Sequence, residues 1–206
     1  MAQMLPFPVI VLAAGQSRRM QGRDKLLEDI DGLPLIRHQA LKARAVTDAP
    51  VIVALPPPPH PRYGALAGLD LHLLPVENPA EGMNASLRSG FAALPDTAQC
   101  AMVVLGDLPD LTIADLQRVG QAVDLTSDMV IWRGATQAGA AGHPIVFHRS
   151  LFGAIARLHG DGGARAVVAR AKDMVMLVPL PGDHARADLD TPEDWRKWRN
   201  RRGATD

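Results

Sequence analysis

Cysteine, aromatic residues and net charge are all scarce in this sequence, and each scarcity removes a class of protein from consideration. A lone cysteine, Cys100, excludes an internal disulfide framework and suits a reducing, cytoplasmic setting. It precedes the apolar run from Ala101 to Leu105, which makes it a buried structural thiol rather than a nucleophile. Lys plus Arg equals Asp plus Glu at 22 each, so there is no global basic field with which to grip nucleic acid, and a small anionic ligand handled by local charge fits better. Three Trp, four Phe and one Tyr leave the core to aliphatic side chains. The N-terminal stretch MAQMLPFPVIVLAAG lacks a basic leader and is broken by Pro6 and Pro8, so neither a secretion signal nor a membrane span is expected.

What the sequence does contain is a regular alternation. Its 206 residues suit one domain, expected over 1–198, followed by a basic tail at 199–206 expected to fray. Apolar runs at 9–12, 51–55, 71–74, 100–105, 128–132, 145–147 and 174–180 read as strands. Between them lie helical patterns: one from Pro34 with Ile36, Ala40 and Ala43 inward, one carrying Met83, Leu87, Phe91 and Leu94, and one capped by Thr112 with Ile113, Leu116, Val119 and Val123. Pro56 to Pro59 form a stiff connector, and the glycine-bearing stretch 134–142 reads as a mobile surface segment. The fold class that follows is α/β, a mostly parallel sheet flanked by helices in a modified Rossmann-like arrangement.

The stretch VIVLAAGQSRRMQGRDK organises the rest. Val9-Ile10-Val11-Leu12 shows no polar alternation and so reads as a strand buried on both faces. The turn Ala13-Ala14-Gly15 lets a ligand approach the backbone, and Ser17, Arg18, Arg19 and Lys25 then add a hydroxyl and fixed positive charge to a turn able to form an anion nest. A polyphosphate would use all of these, although a solvated charged loop has the same composition. The spacing rules out two familiar phosphate loops: G-x-G-x-x-G fails at Ser17, and a P-loop needs its Lys six residues after Gly15 rather than ten.

Later segments supply complementary groups. Gly82, Asn84, Ser86 and Arg88 cluster at a helix start, where they either cap the helix or meet an anion or a base. Asp107 follows the 100–105 strand, at the end of an internal parallel strand where open α/β sheets bind ligands; it is a turn residue or a ligand for a hard cation such as Mg²⁺. His143 precedes a proline and projects from the entrance of a strand. Gly162 and Gly163 precede a helix and either offer N–H groups to a phosphate or form a plain loop. Thr191 and Pro192 open a final helix whose Glu193 and Asp194 suit the first turn.

The motif L-A-A-G-x-S-x-R-M followed by D-K-L-L resembles the N-terminal signature of the molybdopterin nucleotidyltransferases and, more broadly, of the sugar-nucleotide and methylerythritol cytidylyltransferases. The resemblance extends through E-G-M-N-A-S-L-R-S-G, G-D-x-P-x-L, G-H-P with G-D-x-G-A-R, and D-x-D-T-P-E-D, so it spans Leu12 to Asp194. Asn84 departs from the family pattern, which usually has Ser there. The resemblance implies that Ala13, Ala14, Gly15, Ser17, Arg18, Gly82, Asn84 and Ser86 hold the nucleotide, that Arg19, Lys25 and Asp107 carry catalysis, and that Asp107 and Asp190 hold Mg²⁺ with Asp188 as understudy. It places the acceptor against His143, Gly162, Gly163 and Arg165. The implied reaction moves CMP from CTP to molybdopterin with release of pyrophosphate, followed by transient contact with a receiving molybdoenzyme or its chaperone. GTP as donor, or a sugar 1-phosphate as acceptor, are rivals within that chemistry. A non-catalytic carrier of nucleotide or molybdopterin is the rival of another class.

Overall fold

A computed structural model describes residues 3–203; positions 1–2 of the N-terminal run and 204–206 of the basic tail lie outside the described residues. In chain order the strands are β1 (Val9–Leu12), β2 (Asp29–Ile30), β3 (Leu33–Pro34), β4 (Val51–Leu55), β5 (His72–Pro75), β6 (Cys100–Leu105), β7 (Ile131–Ala135), β8 (Ala141–His148) and β9 (Val175–Pro179). The helices are α1 (Leu35–Val46), α2 (Pro61–Ala65), α3 (Met83–Ala92), α4 (Ile113–Gln121), α5 (Phe152–Ile155), α6 (Arg165–Arg170) and α7 (Pro192–Gly203).

Seven strands form one sheet in the order β5-β4-β1-β6-β8-β7-β9. Only β8 runs against its neighbours, so the sheet is mostly parallel. Side chains alternate between two cores: Val9, Val11, Val51 and Val53 face one helical layer, and Ile10, Leu12, Ile52 and Ala54 face the other. Burial on both faces explains why these strands read as unbroken apolar runs. The chain moves outward from β1 through β4 to β5, then returns to the other side of β1 to build β6. That reversal opens a crevice beyond the carboxyl ends of β1 and β6, the place where doubly wound sheets bind ligands.

Several local signals worked as chemistry dictates. Thr112 and Asp115 form a reciprocal capping box on α4, and Cys100 is a buried free thiol whose pKa burial pushes up to about 12. No described helix is long and apolar enough to cross a membrane.

Other expectations need correction. The strand expected at 128–132 lies at Ile131–Ala135, and 134–142 is no mobile segment: its ends belong to a β7–β8 hairpin closed by the Thr136 N–H donating to the Ala140 carbonyl at 2.9 Å. Glycine serves close packing there rather than freedom, since a side chain on Gly142 would collide with the Ala185 carbonyl. Met83 is 40% exposed and lines the crevice instead of joining the core. In the basic tail the last helix runs as far as Gly203. Arg199 pairs with Glu28 at 2.9 Å and Arg202 with Asp31 at 2.8 Å, while their guanidiniums lie 5.1 and 4.9 Å from the ring centres of Trp195 and Trp198. Glu28 just before β2 and Asp31 in the β2–β3 turn thus partner two of the basic side chains that the composition alone marks as solvated.

Candidate active site

The site begins where β1 and β6 leave the sheet side by side. Leu12 and Leu105 are register partners, and the Gly106 N–H donates to the Leu12 carbonyl at 3.0 Å, so the loop after Ala13 and the turn carrying Asp107 emerge at one level. The Leu189 N–H donates to the Asp107 carbonyl at 3.2 Å, and Leu189 is buried in the core. This pins the extended segment 188–190 beside Asp107 and leaves the acids on either side of Leu189 lining the crevice.

Lys25 is the centre of the arrangement. Its Nζ donates to Asp107 Oδ2 at 2.5 Å and to Asp190 Oδ1 at 2.7 Å, and Asp190 Oδ2 also meets Arg19 Nη2 at 2.5 Å. Burial opposes the ammonium charge, but Asp107 and then Asp190 outweigh it and hold the Lys25 pKa above its ordinary value. For Asp190, burial is outweighed by the bond and charge of Lys25 and by Arg19, so its carboxyl titrates low. Burial, then Asp190, then Asp107 push the Asp188 carboxyl up.

The loop itself is braced by a residue that the sequence reading missed. Arg62, at the start of α2 and 1% exposed, forms a two-pronged pair with Asp24 through Nε at 2.7 Å and Nη2 at 2.6 Å. It also donates to the carbonyls of Ala13 and Gly15. Its guanidinium is therefore the internal scaffold of the loop. The available signal was its place just after the proline connector, which delivers it beneath the turn.

The expected nucleotide contacts sort into two groups. Ala13, Ala14, Gly15, Arg18, Arg19, Lys25, Gly82 and Ser86 line a chamber of about 520 Å³ together with Asp107, Asp188 and Asp190. Ala13 and Ala14 do so through backbone, because their methyls are buried in the two cores. Gly82 has φ 101 and stands against Asp161, where an added Cβ would come within 2.7 Å, so that position requires glycine. Ser17 and Asn84, also expected at the nucleotide, and the neighbouring Arg88 have partners within the protein. The Ser17 hydroxyl donates to Asp24 and accepts from the Lys25 N–H, which uses it inside the loop. Asn84 is buried and donates its amide to the His159 carbonyl at 2.6 Å. Arg88 is held by both oxygens of Glu81 at 2.6 Å.

A second chamber of about 370 Å³ adjoins the first and shares Leu12, Met83, Leu105, Asp161, Arg165 and Asp188 with it. His143, Gly162, Gly163 and Arg165, the residues expected to meet an acceptor, all line it. Arg133 and Arg186 line it too and were not singled out from sequence. His143 lies within β8 rather than at its entrance, and its Nδ1 is buried with no hydrogen-bond partner. Gly162 and Gly163 lead through Ala164 into the six-residue α6.

Among the described residues, no group of three or more His, Cys, Asp or Glu side chains is arranged to hold a metal ion. Two carboxylates are nevertheless present on one ammonium, and Asp107 Oδ1 is buried without a hydrogen-bond partner. An orphaned anionic oxygen beside a second carboxylate fits a hard divalent cation that takes its other ligands from water and phosphate.

Fold and site together define a nucleotidyltransferase. The chain belongs to the MobA-like NTP transferase family, whose domain model matches residues 9–175. It is 31% identical over 194 residues to a protein of Synechococcus elongatus named "Probable molybdenum cofactor guanylyltransferase", covering 92% of this chain and 96% of that one. It also resembles the crystal structure of Rv0371c from Mycobacterium tuberculosis, with TM-score 0.79, 30% identity, and coverage of 95% of this chain and 98% of that one. A structure of Rv0371c in complex with manganese superposes with TM-score 0.76 at 28% identity, covering 93% of this chain and 97% of that one.

Proposed function

We propose that this nucleotidyltransferase moves CMP from CTP to molybdopterin, releasing pyrophosphate, with Mg²⁺ as the working cation. The observation that carries this reading is the placement of Lys25 between Asp107 and Asp190, under a loop whose backbone is shaped by Arg62. Relatives named for molybdenum cofactor transfer support the acceptor. The Ala13-Ala14 turn and the EGMNASLRSG segment support the cytidine base through the family resemblance.

In this reading an acceptor phosphate oxygen attacks the α-phosphorus in line, a P–O bond forms, the α–β bridging bond breaks, and pyrophosphate leaves. No covalent protein intermediate is needed. Asp107 and Asp190 would hold a divalent cation, whose positive charge offsets the charge that develops on the α-phosphoryl oxygens. Lys25 stays charged because of its two acids, and Arg19 reaches from the exposed rim; together they take the β- and γ-phosphates. Gly82 lets its turn pack against Asp161 at the chamber wall, and Ser86 offers the nucleoside a hydroxyl. Catalysis rests on positioning and fixed charge rather than on proton transfer.

GTP is the second reading for the donor, favoured by the name of the Synechococcus relative. Pyrophosphate release measured with molybdopterin and Mg²⁺, comparing CTP, GTP, ATP and UTP, tests both. Preference for CTP upholds the proposal, preference for GTP replaces the base while keeping the chemistry, and no release with any donor overturns the reading.

A further inference from the structure

The sheet ends on two unlike edges. β5 is guarded: Asp70 precedes it, its exposed members are His72 and Pro75, and Leu73 and Leu74 are partly covered. Charge and proline are the usual means of keeping another strand off an open edge. β9, at the opposite edge, has neither a charged nor a polar side chain from Met174 to Leu180. Met176 is 39% and Leu177 44% exposed, and Met174 just before the strand is exposed as well. These are three of the seven large apolar side chains exposed among the described residues, so such surface gathers at β9 rather than scattering.

The inner bonds of β9 fix which of its backbone groups face outward. The Met174 carbonyl accepts from the Val130 N–H at 3.0 Å, and the Leu180 N–H donates to the Ala135 carbonyl at 2.8 Å, so even-numbered residues turn their peptide groups toward β7. Val175, Leu177 and Pro179 turn theirs away from the sheet. Pro179, which has no N–H to give, is tolerated in the strand for that reason. The N–H and C=O groups of Val175 and Leu177 form an open ladder with no strand beyond them. At one end of it Nη1 of Arg118, from α4, donates to the outward Pro179 carbonyl at 3.2 Å and sets an exposed guanidinium at the rim. At the other end stands the exposed Asp173.

An antiparallel strand whose own outward residues meet Val175 and Leu177 as a bonded pair would satisfy all four groups. β9 is itself such a strand. A two-fold axis at Met176 sets Val175 of each copy against Leu177 of the other and brings the two Met176 side chains together on one face. The same register puts Asp173 of one copy opposite Pro179 of the other, beside which Arg118 lies. An ion pair then forms at each end, and this charge match singles out a second copy as the occupant of the edge. We infer that β9 is a pairing edge for a second copy of this chain, joined antiparallel about Met176 so that two sheets become one, with Asp173 and Arg118 closing both ends. The guarded β5 edge at each far side stops the sheet at two copies. No residue from Met174 to Pro179 lines either chamber, so the inference stands apart from the proposed donor and acceptor.

The test is sedimentation equilibrium of the full chain over roughly 1 to 100 μM, the range of a moderate dimer. Wild type should reach twice the 22.1 kDa chain mass. Leu177→Pro removes one outward N–H, spares every bond to β7 and should leave monomer; Leu177→Lys takes its place should the proline variant unfold. Arg118→Glu and Asp173→Arg should each raise the dissociation constant about tenfold or more, and the two together should return it to within about threefold of wild type. Met176→Cys reports the register, because Cα atoms of a directly opposed non-bonded pair lie about 4.5 Å apart, within reach of a disulfide, so mild oxidation should link two copies. Met174→Cys, equally exposed but remote from its own counterpart, should not link, and the native Cys100 is buried. A wild type that stays monomeric throughout overturns the inference and leaves the edge to a strand of another protein. A dimer indifferent to the Leu177 variants, a charge swap that restores nothing, or Met174→Cys linking as readily as Met176→Cys overturns it too.

Discussion

The two chambers solve opposite electrostatic problems. In the chamber beside the β1 loop Lys25 is paired with two aspartates and Arg19 with Asp190, and Arg62, buried behind that loop, is paired with Asp24. In the neighbouring chamber Arg133, Arg165 and Arg186 form no ion pair among the described residues, although Asp161 and Asp188 share its lining. Internal pairing fixes geometry before a ligand arrives, which is the preorganisation that transition-state stabilisation needs. Unpaired like charge leaves the attraction for an incoming anion unspent, which favours capture. The comparison teaches that one crevice can hold self-partnered and unpaired arginines side by side.

The sharpest way to break that comparison is to remove a paired charge. Lys25→Ala and Asp107→Ala should each lower kcat by about a hundredfold or more, the scale for losing one preorganised charge contact. Steady-state kinetics of pyrophosphate release would check this, and acceptor binding should hardly move. A folded Asp107→Ala protein with normal turnover would remove the metal assignment.

Arg62→Met comes next. It strips a buried partner from Asp24 and leaves the Ala13 and Gly15 carbonyls without their donor. Breaking a buried pair from one side costs about 3 kcal/mol or more, so urea denaturation should show a large fall in stability along with weaker nucleotide binding. Adding Asp24→Asn should recover part of the loss, because the stranded charge goes with it. Simple additivity of the two losses would show that the loop does not depend on this pair.

A smaller effect concerns Lys42, away from both chambers, whose ammonium donates to the Pro109 carbonyl. Burial lowers its pKa from 10.5 to about 8, against the pull of Asp110 and Asp115 and with a contribution from Arg202. Below pH 8 both folded and unfolded chains carry the protonated amine, and the folded state bears its desolvation. Between about 8 and 10.5 the unfolded chain binds more protons, so the Lys42 contribution to stability must rise with pH. Wild type compared with Lys42→Met by chemical denaturation at pH 7 and pH 10 should show wild type gaining relative to the variant by at most about 3 kcal/mol. A difference independent of pH would refute the assigned shift.

The smallest change is expected from Arg199→Ala. Its bond to Glu28 and its stacking on Trp195 lie at the surface, so the loss should be about 1 kcal/mol or less, read as a shift of one or two degrees in melting temperature. A larger loss, with impaired turnover, would mean that the hold of α7 on the β2–β3 hairpin supports the catalytic acids.

The architecture was largely legible because burial on both faces writes itself as unbroken apolar runs such as Val51–Leu55 and Cys100–Leu105. Asp107 was legible because it follows the end of an internal strand, Lys25 because it belongs to the cationic loop after β1, and Asp190 only through the family resemblance. The internal partners of Ser17, Asn84 and Arg88 were not legible. Asp24, the His159 carbonyl and Glu81 come within reach only in the folded chain. Arg62 belongs to no motif and was invisible as a scaffold. Arg133 had a readable sign that went unused: a guanidinium in the middle of the apolar strand Ile131–Ala135 demands a polar destination. The glycines at 134–142 were read as freedom when they serve contact.

Leu189 carries no charge and sits in the core with its N–H fastened to the Asp107 carbonyl, flanked by two acids of the crevice. Burial of that side chain and its one backbone bond hold the chain on which both acids are strung, so an aliphatic position anchors two carboxylates at once.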